Sequence, residues 1–257
     1  MIGSIAFKSI FATHTIVTTS PSLTEIIFQL GYGSSILATS QFSDFPEEAK
    51  RLPRIGFLFS PNIERIFRFS PDWVLIDAES SPTQLGEQLF EIGLKKLNIS
   101  IRSVNDLFTE SERILKTLFE QKNASAIDNY RQIFLKSKTV KGRNFTFIAI
   151  AWASPTVLIG NNTFLSDLLN QVGGKNLVGE FTAAPYPTIA DEWLMKHVPE
   201  YVFVLADSED QFRVIKTHSA KWWPAENIKF VFLPSSWYAR SSFSPIFHLE
   251  ALRSNIE

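Results

Sequence analysis

The sequence predicts an α/β fold of two Rossmann-like lobes, each a mainly parallel sheet with flanking helices, joined by a single long interdomain helix. Three observations lead there. Apolar strand-like runs alternate with helical periodicity along most of the chain, the pattern of a parallel sheet. A strand–turn–helix stretch ending in Ser20 to Gly31 returns in Phe164 to Gly173, at an offset of 142 residues that pairs Thr24 with Ser166, Glu25 with Asp167, Gln29 with Gln171 and Gly31 with Gly173. A second stretch, Glu64 to Asp77, returns in Glu192 to Leu205 at an offset of 128. In each copy a Glu begins a short helix, a Pro follows seven residues later, and an acid, an aromatic and a Val-led strand come next. Two matches in the same order point to a diverged duplication.

The elements follow from local signals. Ile16 to Thr19 is β-branched and reads as a strand that Pro21 stops. Ser22 and Glu25 have capping-box spacing, and Leu23, Ile26, Ile27 and Leu30 form one helical face closed by Gly31. Ile36 to Ser40 reads as a strand, and Gln41 to Pro61 as a long irregular loop of the kind that carries function. Asn62 caps the helix containing Glu64, and Trp73 to Ile76 is a buried strand. A helix over Pro82–Lys95, a strand over Ile99–Ser103 and a helix over Asp106–Glu120 complete the first lobe.

Lys122 to Lys138 carries an apolar stripe of Ile127, Tyr130, Ile133 and Phe134 without Gly or Pro, which predicts the joining helix. The expected division is therefore 1–121, a connecting helix over 122–141, and 142–257. Such a joint would hold the lobes at a nearly fixed separation, unlike a Gly/Ser linker. The second lobe opens with the apolar strand Phe145–Ala151. After the repeat helix come an irregular stretch over Gly179–Thr188, a helix from Ala190, a strand over Tyr201–Leu205, a helix over Glu209–Thr217 and a strand over Phe230–Leu233. A loop over Ser235–Ser242 leads to a terminal helix from Pro245.

Composition narrows the function. The 257 residues are 45% hydrophobic and 20% charged with net charge −1, and no basic block is present. Nucleic acid and anionic membrane are thus not the expected partners. The absence of cysteine excludes disulfides, thiolate metal sites and a Cys nucleophile. No run reaches transmembrane length. Met1 to Thr13 is apolar but interrupted by Lys8 and lacks a basic leader, so it makes a poor signal peptide as written.

Catalytic signatures are missing. Neither glycine-rich phosphate loop occurs, there is no G-x-S-x-G elbow, and His14, His197, His218 and His248 lack metal-ligand spacing. No catalytic residue, metal ligand or cofactor is assigned, and an enzyme is not expected. Binding has better support, because ligands of open α/β sheets sit beyond the carboxyl ends of the strands. The residues placed there are Phe42, Phe57 to Phe59, Asp77, Trp152, Tyr186, Trp237, Tyr238 and Arg240. This lining is aromatic and sparsely charged, suited to a large flat or partly apolar ligand.

Several stretches carry a family resemblance: Ile16 to Gly31, Phe42-Ser-Asp-Phe-Pro-Glu-Glu-Ala, Leu52-Pro-Arg-Ile-Gly, Asn62-Ile-Glu-Arg-Ile with Ser70-Pro-Asp-Trp-Val-Leu, and Val172-Gly-Gly-Lys-Asn-Leu. Together they resemble the class III, helical-backbone substrate-binding proteins of ABC importers, receptors for cobalamin, haem and ferric siderophores, with the cobalamin branch nearest. The resemblance implies capture of a metal chelate in an interlobe cleft, delivery to a membrane permease, and residence in the periplasm. It also implies a docking glutamate on each lobe, at Glu64 and Glu192, which helix-dipole reasoning alone explains as N-terminal carboxylates. The ligand contacts it suggests are Phe42, Leu58, Asp77, Trp152, Tyr186, Trp237 and Arg240. Three positions depart from the cobalamin pattern: Asp77 replaces an aromatic, Leu58 a Trp, and Ser236 an Asp. The alternative is a cytoplasmic ligand-binding module or an enzyme on the same fold. A monomer is the default expectation.

Overall fold

The computed structural model describes residues 14–120, 125–139, 144–223 and 228–256. The reading of Met1–Thr13 as a poor signal peptide and the ends of the expected joining helix lie outside these residues. Among the described residues two compact units divide the chain, one of 14–99 and 111–120, the other of 100–110 and 125 onward.

In the first unit, β1 (Ile16–Thr18) runs into α1 (Pro21–Gln29). The cap is Ser20, not the expected Ser22: Leu23 N–H donates to Ser20 Oγ at 3.2 Å, and Pro21 takes the first helical position, where its missing N–H costs nothing. Glu25 is freed from a capping role and lies fully buried, accepting from Gln29 Nε2 at 2.9 Å. Next come β2 (Ile36–Ala38) and a loop more ordered than expected, holding a 3₁₀ turn over Glu47–Arg51 and a hairpin of β3 (Gly56–Phe57) and β4 (Ser60–Pro61). Then follow α2 (Ile63–Arg68), β5 (Trp73–Asp77), α3 (Leu85–Glu91) and β6 (Lys96–Ile99). Strand β6 falls three residues earlier than predicted because Lys96–Ile99 pairs in register with Val74–Asp77. The sheet is parallel with order β2-β1-β5-β6.

Helix α4 (Val104–Phe119) is divided between the units, its first seven residues counting with the second and the rest with the first. Its start is a reciprocal cap: Asp106 N–H donates to Ser103 Oγ at 3.0 Å, and Asp106 Oδ2 accepts the Ser103 N–H at 3.0 Å.

Helix α5 (Ser125–Thr139) belongs wholly to the second unit, so the units divide the chain differently from the expected boundaries at 121 and 141. The expected stripe explains this. Tyr130 stacks on Phe243 at 4.1 Å, Phe134 meets Phe108, and Arg253 donates to the Ser137 carbonyl. The unit continues with β7 (Phe145–Ala153), β8 (Thr156–Leu158), α6 (Phe164–Gln171), β9 (Gly174–Asn176), α7 (Asp191–Lys196), β10 (Tyr201–Ala206), α8 (Glu209–Ser219) and β11 (Lys229–Pro234). The stretch read as a loop after β11 begins with a helical turn, α9 (Ser235–Tyr238), and the terminal helix is split into α10 (Ser244–Phe247) and α11 (Leu249–Ser254).

Strands β9, β7, β10 and β11 lie side by side and parallel, and β8 pairs antiparallel with the outer half of β7. Leaving β8 aside, both units have the same strand order, second–first–third–fourth, as a duplication requires. The equivalent glycines agree as well. Gly31 and Gly173 follow α1 and α6 with φ of +87° and +101°, a conformation that favours glycine at a helix C-terminus. Each unit has its own apolar core, around Val17, Ile66 and Val74 in the first and Ile148, Val202 and Trp223 in the second. Among the described residues no helix is long and apolar enough to cross a membrane.

Candidate functional site

In the second unit, the carboxyl ends of β7, β10 and β11 open onto a pocket of about 240 Å³. Leu205 and Ala151 form part of its floor, Thr163 to Leu165 at the start of α6 one wall, and Tyr186, Ser235 and Tyr238 to Ser241 the remainder. Arg240 is the one charged residue in this lining and none is acidic. Its volume lies below the roughly 300–1,000 Å³ of sites that enclose a whole small molecule.

Tyr186 and Arg240, both expected from the sequence, line this pocket together. Tyr186 is largely exposed. Tyr238 also lines it, but as a buried anchor: its hydroxyl donates to the His248 carbonyl at 2.9 Å, and burial pushes its phenol well above the ordinary range. Trp237, one residue earlier, is 41% exposed and stacks on His248 at 3.8 Å between ring centroids. Trp152, near the end of β7, is exposed and outside the pocket lining, its indole N–H donating to the Ser154 carbonyl at 3.1 Å.

The first unit presents a different surface at its strand ends. Phe42, after β2, sits 5.7 Å from Phe57 on the β3–β4 hairpin, and Phe42, Phe45, Phe57 and Phe59 are all exposed. Leu58 is partly buried in the tight turn that joins the two hairpin strands. The backbone below is tied down by Arg54. Its guanidinium donates to the carbonyls of Ser40 (3.0 Å), Ser43 (2.8 Å) and Lys50 (3.3 Å), while Gln41 N–H reaches the Gly56 carbonyl at 2.8 Å. Under the loop the buried hydroxyls of Thr18, Thr24, Thr39, Ser40 and Ser43 bond to one another, linking β1, α1 and β2.

Asp77 ends β5 and is half-buried. Its Oδ1 accepts the Glu79 N–H at 3.1 Å, shaping the turn that follows. Burial raises its carboxyl above the ordinary range, while hydrogen bonds from the Ser20 hydroxyl and the Glu79 and Ser80 N–H groups pull it back. The apolar Leu205 holds the equivalent place in the second unit.

Glu64 and Glu192 are both exposed, each the second residue of its helix. Among the described residues no group of three or more His, Cys, Asp or Glu is placed to hold a metal ion. Sequence reading missed Thr163, Ser235 and Ser241 in the pocket, and Arg54 and His248 behind the aromatic residues. The spacing of small polar residues in loops carries no signal for such roles.

Comparisons with known proteins extend the picture along nearly the whole chain. It is 24% identical to the vitamin B12-binding protein of Yersinia pestis (strain Pestoides F), over 90% of this chain and 82% of that one. It is likewise 24% identical to the vitamin B12-binding protein of Pectobacterium carotovorum subsp. carotovorum (strain PC1), over 88% and 82%. Among solved structures, the periplasmic vitamin B12-binding protein BtuF of Vibrio cholerae superposes with a TM-score of 0.83 at 19% identity, covering 96% of this chain and 97% of that one. A periplasmic heme-binding protein from Pseudomonas aeruginosa gives 0.81 at 19% identity, covering 95% and 92%. These structural likenesses establish the two-lobed α/β fold. The sequence profile described as Periplasmic binding protein matches residues 16–235, and the chain therefore belongs to the periplasmic binding protein family.

Proposed function

We propose that the chain is the substrate-binding component of an ABC importer, capturing a metal-chelate ligand in the periplasm and delivering it to a membrane permease. A corrinoid of the cobalamin type is the first candidate, haem or a ferric siderophore the next. The observation that carries this reading is the near full-length likeness to vitamin B12-binding proteins, which accompanies the family match. The exposed aromatic residues add chemical support. Phe42 and Phe57 in the first unit and Tyr186 and Trp237 in the second offer flat apolar faces, while Arg240 offers a donor to a polar side arm. Leu58, Asp77 and Trp152 complete the proposed contacts. Within the second unit, the pocket of about 240 Å³ would take an arm of the chelate against Tyr186 and Arg240.

The test is titration with cobalamin, haemin and ferric siderophores, followed by tryptophan fluorescence and calorimetry. Saturable one-to-one binding at micromolar concentration or below is expected for one of them. Failure of all three to saturate overturns the reading.

A further inference from the structure

We propose that His248 is a positioning residue that holds the Trp237 indole as a preset face for the ligand. This rests on the assignment of Trp237 to the ligand surface made above.

The two rings lie nearly parallel, 8° apart with centroids at 3.8 Å. Trp237 belongs to α9, a single turn of four residues too short to order a large side chain by itself. What fixes it comes from eleven residues further on. His248 stands where α10 ends and α11 begins, between the fully buried Ile246 and Leu249. Its carbonyl accepts both the Tyr238 hydroxyl at 2.9 Å and the Leu252 N–H at 3.0 Å. Two successive residues of α9 therefore engage His248, Trp237 through its ring and Tyr238 through its hydroxyl. The imidazole covers one face of the indole and leaves Trp237 41% exposed, outside the lining of the pocket to which its neighbour Tyr238 contributes.

The other histidine–tryptophan contacts are of a different kind. Trp193 and His197 stack within α7 and its C-cap at i and i+4, and His218 meets Trp222 edge-on at 86°, again four residues apart. Those pairs are local to one helix end, whereas Trp237–His248 joins separate elements at the candidate site. Burial holds the His248 imidazole below its ordinary pKa, so at neutral pH it meets the indole as an uncharged ring.

Holding a ligand-contacting ring in its bound orientation reduces the ordering cost of binding. The experiment compares His248→Leu, which removes the flat ring, with His248→Phe, which keeps one; His248→Gln replaces the leucine variant if that does not fold. Acrylamide quenching of Trp237, isolated as the difference from Trp237→Phe, reads its order without any ligand. Affinity for the best-binding chelate is measured in the wild-type and Trp237→Ala backgrounds.

His248→Leu should make Trp237 more quenchable and weaken binding roughly 2- to 10-fold, the worth of one aromatic pair. His248→Phe should restore both, and the affinity loss should vanish in the Trp237→Ala background. Unchanged quenching, unchanged affinity, or an equal loss without Trp237 overturns the proposal. If no chelate binds the wild type, the functional reading fails, and the quenching comparison alone decides whether His248 orders Trp237.

Discussion

Thr15 and Asp72 exchange hydrogen bonds in both directions. The Thr15 N–H donates to Asp72 Oδ2 at 2.7 Å, and the Asp72 N–H donates to Thr15 Oγ1 at 3.1 Å. Thr146 and Glu200 do the same in the second unit, at 3.3 Å and 3.1 Å. In both units this clasp joins the residue after the repeated proline to the start of the first strand. Equivalent positions that keep the same reciprocal bonds, with Asp in one and Glu in the other, are the mark of a duplicated lobe whose side chains have drifted.

The clasp sets the first prediction. Hydrogen bonds from the Thr15 N–H and hydroxyl hold the Asp72 carboxyl below its ordinary range. Stability from a lowered carboxylate is present above the unfolded pKa of about 4 and lost as pH falls through the folded value. The Asp72 side chain is half exposed and screened by solvent, so Asp72→Ala should lose at most about 1 kcal/mol in urea unfolding at neutral pH. The difference from wild type should shrink steadily in acid.

Asp77 has the opposite sign. Burial raises its carboxyl, so the folded state binds the proton more tightly than the unfolded chain, and stability is lost as pH rises from about 4 through the raised value. Asp77→Asn keeps an oxygen for the Glu79 N–H but removes the buried charge. The variant should be more stable than wild type at neutral pH, with the gain disappearing below pH 4. Weaker chelate binding in the same variant would locate the reason a costly carboxylate stands where the second unit has Leu205.

Arg54 ties three carbonyls beneath Phe42 with one planar fork. Arg54→Met leaves those acceptors without the donor and should cost about 1–3 kcal/mol. Amide exchange over residues 40–45 should quicken, and chelate affinity should fall about tenfold as Phe42 loses its fixed orientation. Lysine should recover only part of both, because an ammonium cannot span the fork.

These cases separate what the sequence reveals from what it hides. The lobes are legible because a repeated apolar period, as in Leu23 to Leu30 and Leu165 to Val172, survives divergence. The placement of α5 is not: its stripe of Ile127, Tyr130 and Phe134 announces a buried helix but not which core buries it. Strands β8 and β9 are three residues long, too short for alternation to show. At the candidate site, exposed aromatics such as Phe42 and Trp237 stand out in Pro- and Ser-rich loops. Their supports do not, because Arg54 bonds to backbone carbonyls and His248 reaches Trp237 from another helix, and neither leaves a spacing to read.

Glu64 and Glu192 supply the last prediction. Each is the second residue of a six-residue helix, with a fully buried partner two residues on, Ile66 and Leu194. A carboxylate in that place complements the positive end of the helix dipole, which alone accounts for its presence. A dipole role predicts exposure too, and the one glutamate of each copy faces solvent. Asp191, the neighbour of Glu192, is ion-paired with Lys221 at 3.0 Å, whereas neither glutamate has an ion-pair partner among the described residues. Two open carboxylates in duplicated settings suit a partner offering two equivalent arginine sites, since the guanidinium fork matches a carboxylate. The double variant Glu64→Arg, Glu192→Arg should bind the chelate as wild type does and melt within a few degrees of it. In cells carrying the cognate permease, its ligand uptake should be abolished, and each single variant should fall between. Full uptake by the double variant would leave the helix dipole as the only role for the two glutamates.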